Sequence, residues 1–241
     1  MSCPSQPSPR LLPGRSAFSL IELLVVMAVV SLLLAIAVPS FVSLNPARKT
    51  GIHELAGFLE NARAEAIARR APRIVAFADA GFPGESGALR AYALFEEESE
   101  EDDANENGST PRYRRLSPWQ TLPEGLVFAR GGDFEVSGGE AFRTLHDLVG
   151  DRRFAMPTPS GEDGETQPLA SLVFGPDGGI RSPGFADADA LHLGIIEGFL
   201  DVSTGKVIPT STRPSASGRE LPNGECLEVG FYTGRPRILT D

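Results

Sequence analysis

Glu22 is the residue whose placement most needs a chemical reason. It lies just inside an apolar run: Leu20 to Val38 is almost wholly apolar, and no charge occurs from Leu23 to Ala47. A carboxylate deep in hydrocarbon costs about 3 kcal/mol even on lenient insertion scales. A cation about 4 Å away returns roughly 4 kcal/mol at an effective dielectric of about 20. The position therefore makes sense where a positive group is delivered to it.

Three other sets of residues carry potential chemistry. The acidic run from Glu96 to Gly108 contains Asp103-x-Asn105-x-Asn107-Gly108, the opening of a calcium loop. Its closing position, eleven residues after Asp103, is Arg114, which opposes a cation; the other reading is a solvated hairpin tip whose charges repel one another. Near the C-terminus, Arg235 and Arg237 are spaced to touch adjacent phosphates, or else to close a hairpin and face solvent. His53, His146 and His192 are isolated, and there is no His-Glu-x-x-His, no paired cysteines and no phosphate-cradling glycine loop. Gly84-Glu85-Ser86-Gly87 fails as a nucleophile elbow because Ala88 follows. The expectation is a protein that is not an enzyme and needs no cofactor.

These residues are set in a chain of 241 with 22 basic and 32 acidic side chains, a formal charge of −10. That balance argues against bulk electrostatic grip on nucleic acid. Cys3 and Cys226 cannot form a disulfide scaffold or a zinc site. Phe18 to Val38 spans 21 residues, about 31 Å as a helix, which matches a hydrocarbon core of about 30 Å. Three readings fit such a segment: a secretory signal cut after Ala35-Ile36-Ala37, a plain single-span anchor, or an anchor in which Glu22 has a task. Only the third accounts for the carboxylate.

Beyond Pro39, Asn45-Pro46 reads as an N-cap followed by a first helical residue. Ile52, Leu55, Leu59, Ala62 and Ala66, with Ala56 and Ile67, recur at steps of three and four, and Ala71-Pro72 ends the pattern. Short apolar stretches follow between Gly and Pro: Arg73 to Ala78, Leu89 to Phe95, Leu126 to Ala129, Leu169 to Phe174, Ala190 to Ile196 and Cys226 to Tyr232. With no helix–strand alternation, the expected class is α+β, a long N-terminal transmembrane and amphipathic helix packed on a mainly antiparallel β-sheet head. Loop insertions are expected near 96–110, 131–168 and 205–224.

The stretch Ala17-Phe18-Ser19-Leu20-Ile21-Glu22-Leu23-Leu24 resembles the class III signal of type IV prepilins and type II secretion pseudopilins. The resemblance implies that a prepilin peptidase cuts between Ala17 and Phe18 on the cytoplasmic side and methylates the Phe18 amine. Glu22 is then the fifth mature residue, and Pro39 falls where these spines often kink. One position departs from the pattern: Ala17 stands where glycine is usual. The resemblance divides the chain into a leader at 1–17, a transmembrane and polymerisation helix at 18–39, an amphipathic continuation at 40–72 and a head at 73–241.

Further segments are similar to GspH/FimT-type minor pseudopilins: Glu60 to Pro72, Leu172 to Gly178 and Leu227 to Arg235. Trp119 to Gly125 resembles the Verru_Chthon cassette protein D group of prepilin-like proteins. The function implied is a structural minor pilin or pseudopilin in the inner membrane, single-pass, with its head in the periplasm or on a filament. Its partners would be the peptidase, other pilin subunits and the bilayer. Gly234-Arg235-Pro236-Arg237 matches a pattern of FimT-like pilins that take up DNA, which keeps a DNA-binding competence pilin as the alternative; an anchored periplasmic enzyme is a further one.

Overall fold

The computed structural model describes residues 20–29, 44–84, 86–98, 111–129, 148–158, 163–181, 190–214, 218 and 220–239. Two compact units divide at Ser43 and Leu44. In the first, residues 20–29 form a helix, α1. In the second, helix α2 (Leu44–Arg69) precedes the strands.

α2 forms where the sequence pattern places apolar residues on one side. Ile52, Leu55, Leu59, Ala62 and Ala66 are all buried, while Ile67, counted in the same stripe from sequence, is partly exposed at the edge of the packed face. The helix begins at Leu44, so Asn45 lies inside its first turn and is not the residue preceding it. Gly51 allows the closest approach: a Cβ there would stand 2.9 Å from Leu126 Cδ1. The helix ends by reversal, with Arg70 left-handed at φ 51° and the Ala71 N–H donating to the Ala66 carbonyl at 3.2 Å.

The strands in chain order are β1 (Arg73–Phe77), β2 (Ala91–Glu98), β3 (Arg112–Arg115), β4 (Gln120–Thr121), β5 (Leu126–Phe128), β6 (Val149–Pro157) and β7 (Asp163–Phe174). They continue with β8 (Ala190–Asp201), β9 (Lys206–Pro209), β10 (Thr212–Pro214), β11 (Glu220–Pro222), β12 (Gly224–Gly230) and β13 (Pro236–Leu239). One sheet has the order β3-β2-β1-β7-β6, with β4 also on β2; a second has β13-β12-β8-β5, with β9 also on β8; β10 and β11 pair separately. Every pairing described is antiparallel.

One core unites these parts. The buried face of α2 packs with Val75, Phe77, Tyr92, Leu172 and Phe174 of the first sheet and with Leu191, Leu193, Ile195, Leu227 and Val229 of the second. The first sheet is covered on its other face too, where Ile74, Ala76, Phe95, Phe154 and Val173 form a separate cluster. Burial on both faces explains why β1 reads as a continuous apolar run and not as an alternation.

The structure departs from the sequence expectation in two stretches. Residues 131–168, expected to be loop, include β6 and the first half of β7. Residues 205–224, also expected to be loop, include β9, β10 and β11. These strands are short or rich in charge and Pro, so their pairing comes from neighbours and not from an apolar pattern of their own. Near 96–110 the structure shows the β2–β3 hairpin stem; residues 99–110, with Asp103, Asn105 and Asn107, lie outside the described residues.

Candidate functional site

In α1 the residue types decide what the helix needs. Leu20, Ile21, Leu23, Leu24, Val25, Val26, Met27 and Val29 are exposed on every side, and Glu22 is exposed with them. Helical spacing aligns Glu22 with Val25, Val26 and Val29. A helix apolar all round requires lipid or other helices around it. Ala17, Phe18 and Pro39 lie outside the described residues. Among the described residues no helix is long and apolar enough to cross a membrane.

Three segments singled out by resemblance converge at the C-terminal end of α2. From the helix, Arg63 Nε donates to the Thr233 carbonyl oxygen at 2.6 Å, and Arg63 also pairs with Glu60 at 2.9 Å. From the turn after β7, the Ile180 N–H donates to the Phe231 carbonyl at 2.8 Å. The turn itself is closed by the Gly175 N–H on the Gly179 carbonyl at 2.7 Å. Glycine is required at two of its contact points. Gly178 (φ 83°) lies under Ile67, and Gly234 (φ 60°) sits so close to the Gly178 carbonyl that a Cβ would collide with it. Asp177 is held below the usual carboxylate range, chiefly by its hydrogen bond from Arg181 and then by the Gly179 N–H.

The opposite end of α2 is fastened by charge. Arg48 lies 3.3 Å from Glu197 of β8 and 3.1 Å from Glu225 of β12. Glu197 is only 5% exposed, and its second oxygen accepts from the Ser211 hydroxyl. Asn223 donates to Ser211 at 3.1 Å. Sequence reasoning missed this cluster because its members are scattered over 178 positions, with no local pattern. A second network links α2 to the first sheet: buried Arg73 meets Glu65 at 3.5 Å and Glu96 at 3.3 Å, and Glu96 also holds Arg114. Register places Arg114 opposite Glu96 and Arg112 opposite Glu98. The acidic strand end thus faces basic residues across the hairpin.

Of the remaining sequence candidates, Arg235, Arg237 and His53 are exposed, His192 is partly buried, and His146 lies outside the described residues. Arg235 is exposed in the β12–β13 turn, where its carbonyl accepts from the Gly230 N–H at 3.2 Å. Arg237 is exposed on β13 directly across from Glu228, which in turn lies 3.7 Å from His192. His53 is exposed on α2. Among the described residues, no three His, Cys, Asp or Glu side chains stand close enough to hold a metal ion.

Residues 12–38 match the family described as the prokaryotic N-terminal methylation motif. The chain thus carries a prepilin-type N-terminus, and the matched span takes in Ala17, Phe18 and Glu22. A comparison with curated proteins returns no match. Among solved structures, the type IV minor pilin FimU of Pseudomonas aeruginosa is 12% identical, with 81% of this chain and 90% of that chain covered at a TM-score of 0.35. The minor pseudopilin EpsH from the type 2 secretion system of Vibrio cholerae is 16% identical, with 80% and 96% covered at a TM-score of 0.36. Both likenesses are distant.

Proposed function

We propose that this chain is a structural minor pilin or pseudopilin. A prepilin peptidase removes residues 1–17 and methylates Phe18, and the mature subunit enters or primes a filament of the type IV pilus or type II secretion class. The observation that carries this function is the methylation motif over 12–38, with Glu22 four residues after Phe18. The all-round apolar surface of α1 supports it, because bundled spines would cover that surface once the subunit leaves lipid.

The chemistry follows from the cut. Hydrolysis of the Ala17–Phe18 bond leaves a positive amine on Phe18, and methylation keeps the charge. In a bundle of spines, Glu22 of one subunit pairs with the Phe18 amine of its neighbour. A single buried ion pair tolerates little axial slip, so the pair sets register as well as offsetting desolvation. The apolar contacts around it gain little, since lipid tails solvate Leu and Val as well as another helix does.

Substituting Glu22→Ala tests the pairing. The variant should be processed and held in the membrane at wild-type abundance, yet sheared filaments should contain several-fold less of it. Equal incorporation at equal abundance would contradict the charge-pair mechanism.

A further inference from the structure

The β8–β9 hairpin carries an exposed apolar tip that neither the core nor the charge networks explain. Phe199 is 52% exposed, Ile208 41% and Val202 65%, and Phe199 and Ile208 face each other directly across the two strands. The turn is preformed. The Asp201 carboxylate accepts from the Ser203 N–H at 2.9 Å and from the Ser203 and Thr204 hydroxyls at 2.7 Å, and Gly205 takes the positive φ of 64°.

Where this tip points follows from the direction of β8. The strand runs counter to α2. Its first residue, Ala190, pairs with Gly230, beside the turn that Arg63 holds, whereas Glu197 meets Arg48 near the start of the helix. By alternation, Phe199 falls on the same face of β8 as Ile195, which packs in the α2 core, and Glu197. The strand then continues past Arg48, and its last residue, Asp201, lies about 13 Å beyond Glu197 at roughly 3.3 Å per residue, with Val202 in the turn that follows. The tip therefore projects beyond the N-terminal end of α2. In sequence, only residues 40–43 separate that end from Pro39.

We propose that the β8–β9 tip is a membrane-contact wedge, with Phe199, Val202 and Ile208 seated at the headgroup–acyl boundary and the Lys206 ammonium among lipid phosphates. This rests on the anchor reading of the N-terminal segment. A lipid surface fits better than a partner helix, because the apolar side chains sit on a two-stranded hairpin beside its turn, with exposed Lys206 at the first residue of β9. Aromatic and aliphatic side chains flanked by lysine are the composition that partitions to such an interface. Contact there would hold the head upright on the bilayer until the subunit is extracted into a filament.

The test uses the full chain with Cys3→Ser, reconstituted in phosphatidylethanolamine–phosphatidylglycerol vesicles. Val202→Cys is labelled with bimane, with Tyr232→Cys as the control. Tyr232 is 80% exposed in the turn at the far end of α2, and labelling of the Cys3→Ser parent reports any reaction at buried Cys226. Lipid brominated near the headgroup end of its acyl chains should quench the label at 202 several-fold more than at 232. Adding Phe199→Ser with Ile208→Ser should abolish the difference. Equal, weak quenching at both sites with the chain still co-sedimenting would overturn the wedge and leave the anchor intact. A label at 202 that is unquenched in vesicles yet shielded in sheared filaments would overturn it in favour of a neighbouring subunit. Failure of the chain to co-sediment with vesicles would overturn the anchor and the wedge together.

Discussion

Arg63 and Thr233, 170 residues apart in sequence, are joined by a 2.6 Å hydrogen bond from the guanidinium Nε to a backbone carbonyl. The bond fixes the last turns of α2 against the β12–β13 turn, and that turn in turn rests on Gly178. A charged donor on a backbone acceptor contributes more than a neutral one. Arg63→Ala should therefore lower the unfolding free energy by about 1–2 kcal/mol. Glu60→Ala, which removes only the exposed partner 2.9 Å away, should cost less than about 0.5 kcal/mol. Urea unfolding of the full chain in detergent, followed by the fluorescence of Trp119, measures both. Similar losses for the two variants would contradict the role assigned to the Thr233 carbonyl.

Arg48 holds the other end of the helix. Removing it leaves Glu197 buried with Ser211 alone, so Arg48→Ala should cost roughly 3 kcal/mol, the range for an uncompensated buried charge. Replacing both partners, as Arg48→Met with Glu197→Gln, should recover most of that loss. A double-mutant cycle from the same urea curves gives the coupling. Additive losses would show that the two side chains do not act as a pair.

The parts of this architecture that were legible in sequence are those with a local cause. The stripe Ile52, Leu55, Leu59, Ala62 and Ala66 is buried as its spacing implies, and Pro72 follows the left-handed Arg70 at the helix end. All six apolar stretches became strands, since each packs against the core from its own residues. What was not legible depends on distant partners. β3 reads Arg-Tyr-Arg-Arg and forms because β2 offers it Glu96 and Glu98 in register. β6 draws burial from Phe154 and Met156, which reach the outer face of the first sheet. At the site, Glu22 announced itself because a carboxylate in an apolar run is costly. Glu197 did not, because its cost is offset by Arg48, 149 positions away.

Acid should loosen the β8–β9 turn. Hydrogen bonds from the Ser203 hydroxyl, then the Thr204 hydroxyl and the Ser203 N–H, hold Asp201 below its ordinary value of 3.8. A depressed carboxylate contributes its stability above the unfolded value and loses it as pH falls through the folded one. The turn should stay closed at neutral pH and open only below about pH 3.8. Exchange of the Gly205 N–H, which donates to the Asp201 carbonyl at 2.8 Å, reports this. Asp201→Asn should lower the protection factor of that amide at neutral pH and remove the fall of the protection factor with acid. An unchanged profile would show that the carboxylate does not hold the turn.

Processing of this chain as a prepilin is decided by the mass of the mature protein from native membranes. The expected chain begins at N-methylated Phe18, has lost residues 1–17 with Cys3, and retains Glu22 as its fifth residue. A chain beginning at Val38, after Ala35-Ile36-Ala37, would show instead a secretory signal whose removal takes Glu22 with it. Either that result or an intact N-terminus in cells with an active prepilin peptidase would rule out prepilin processing.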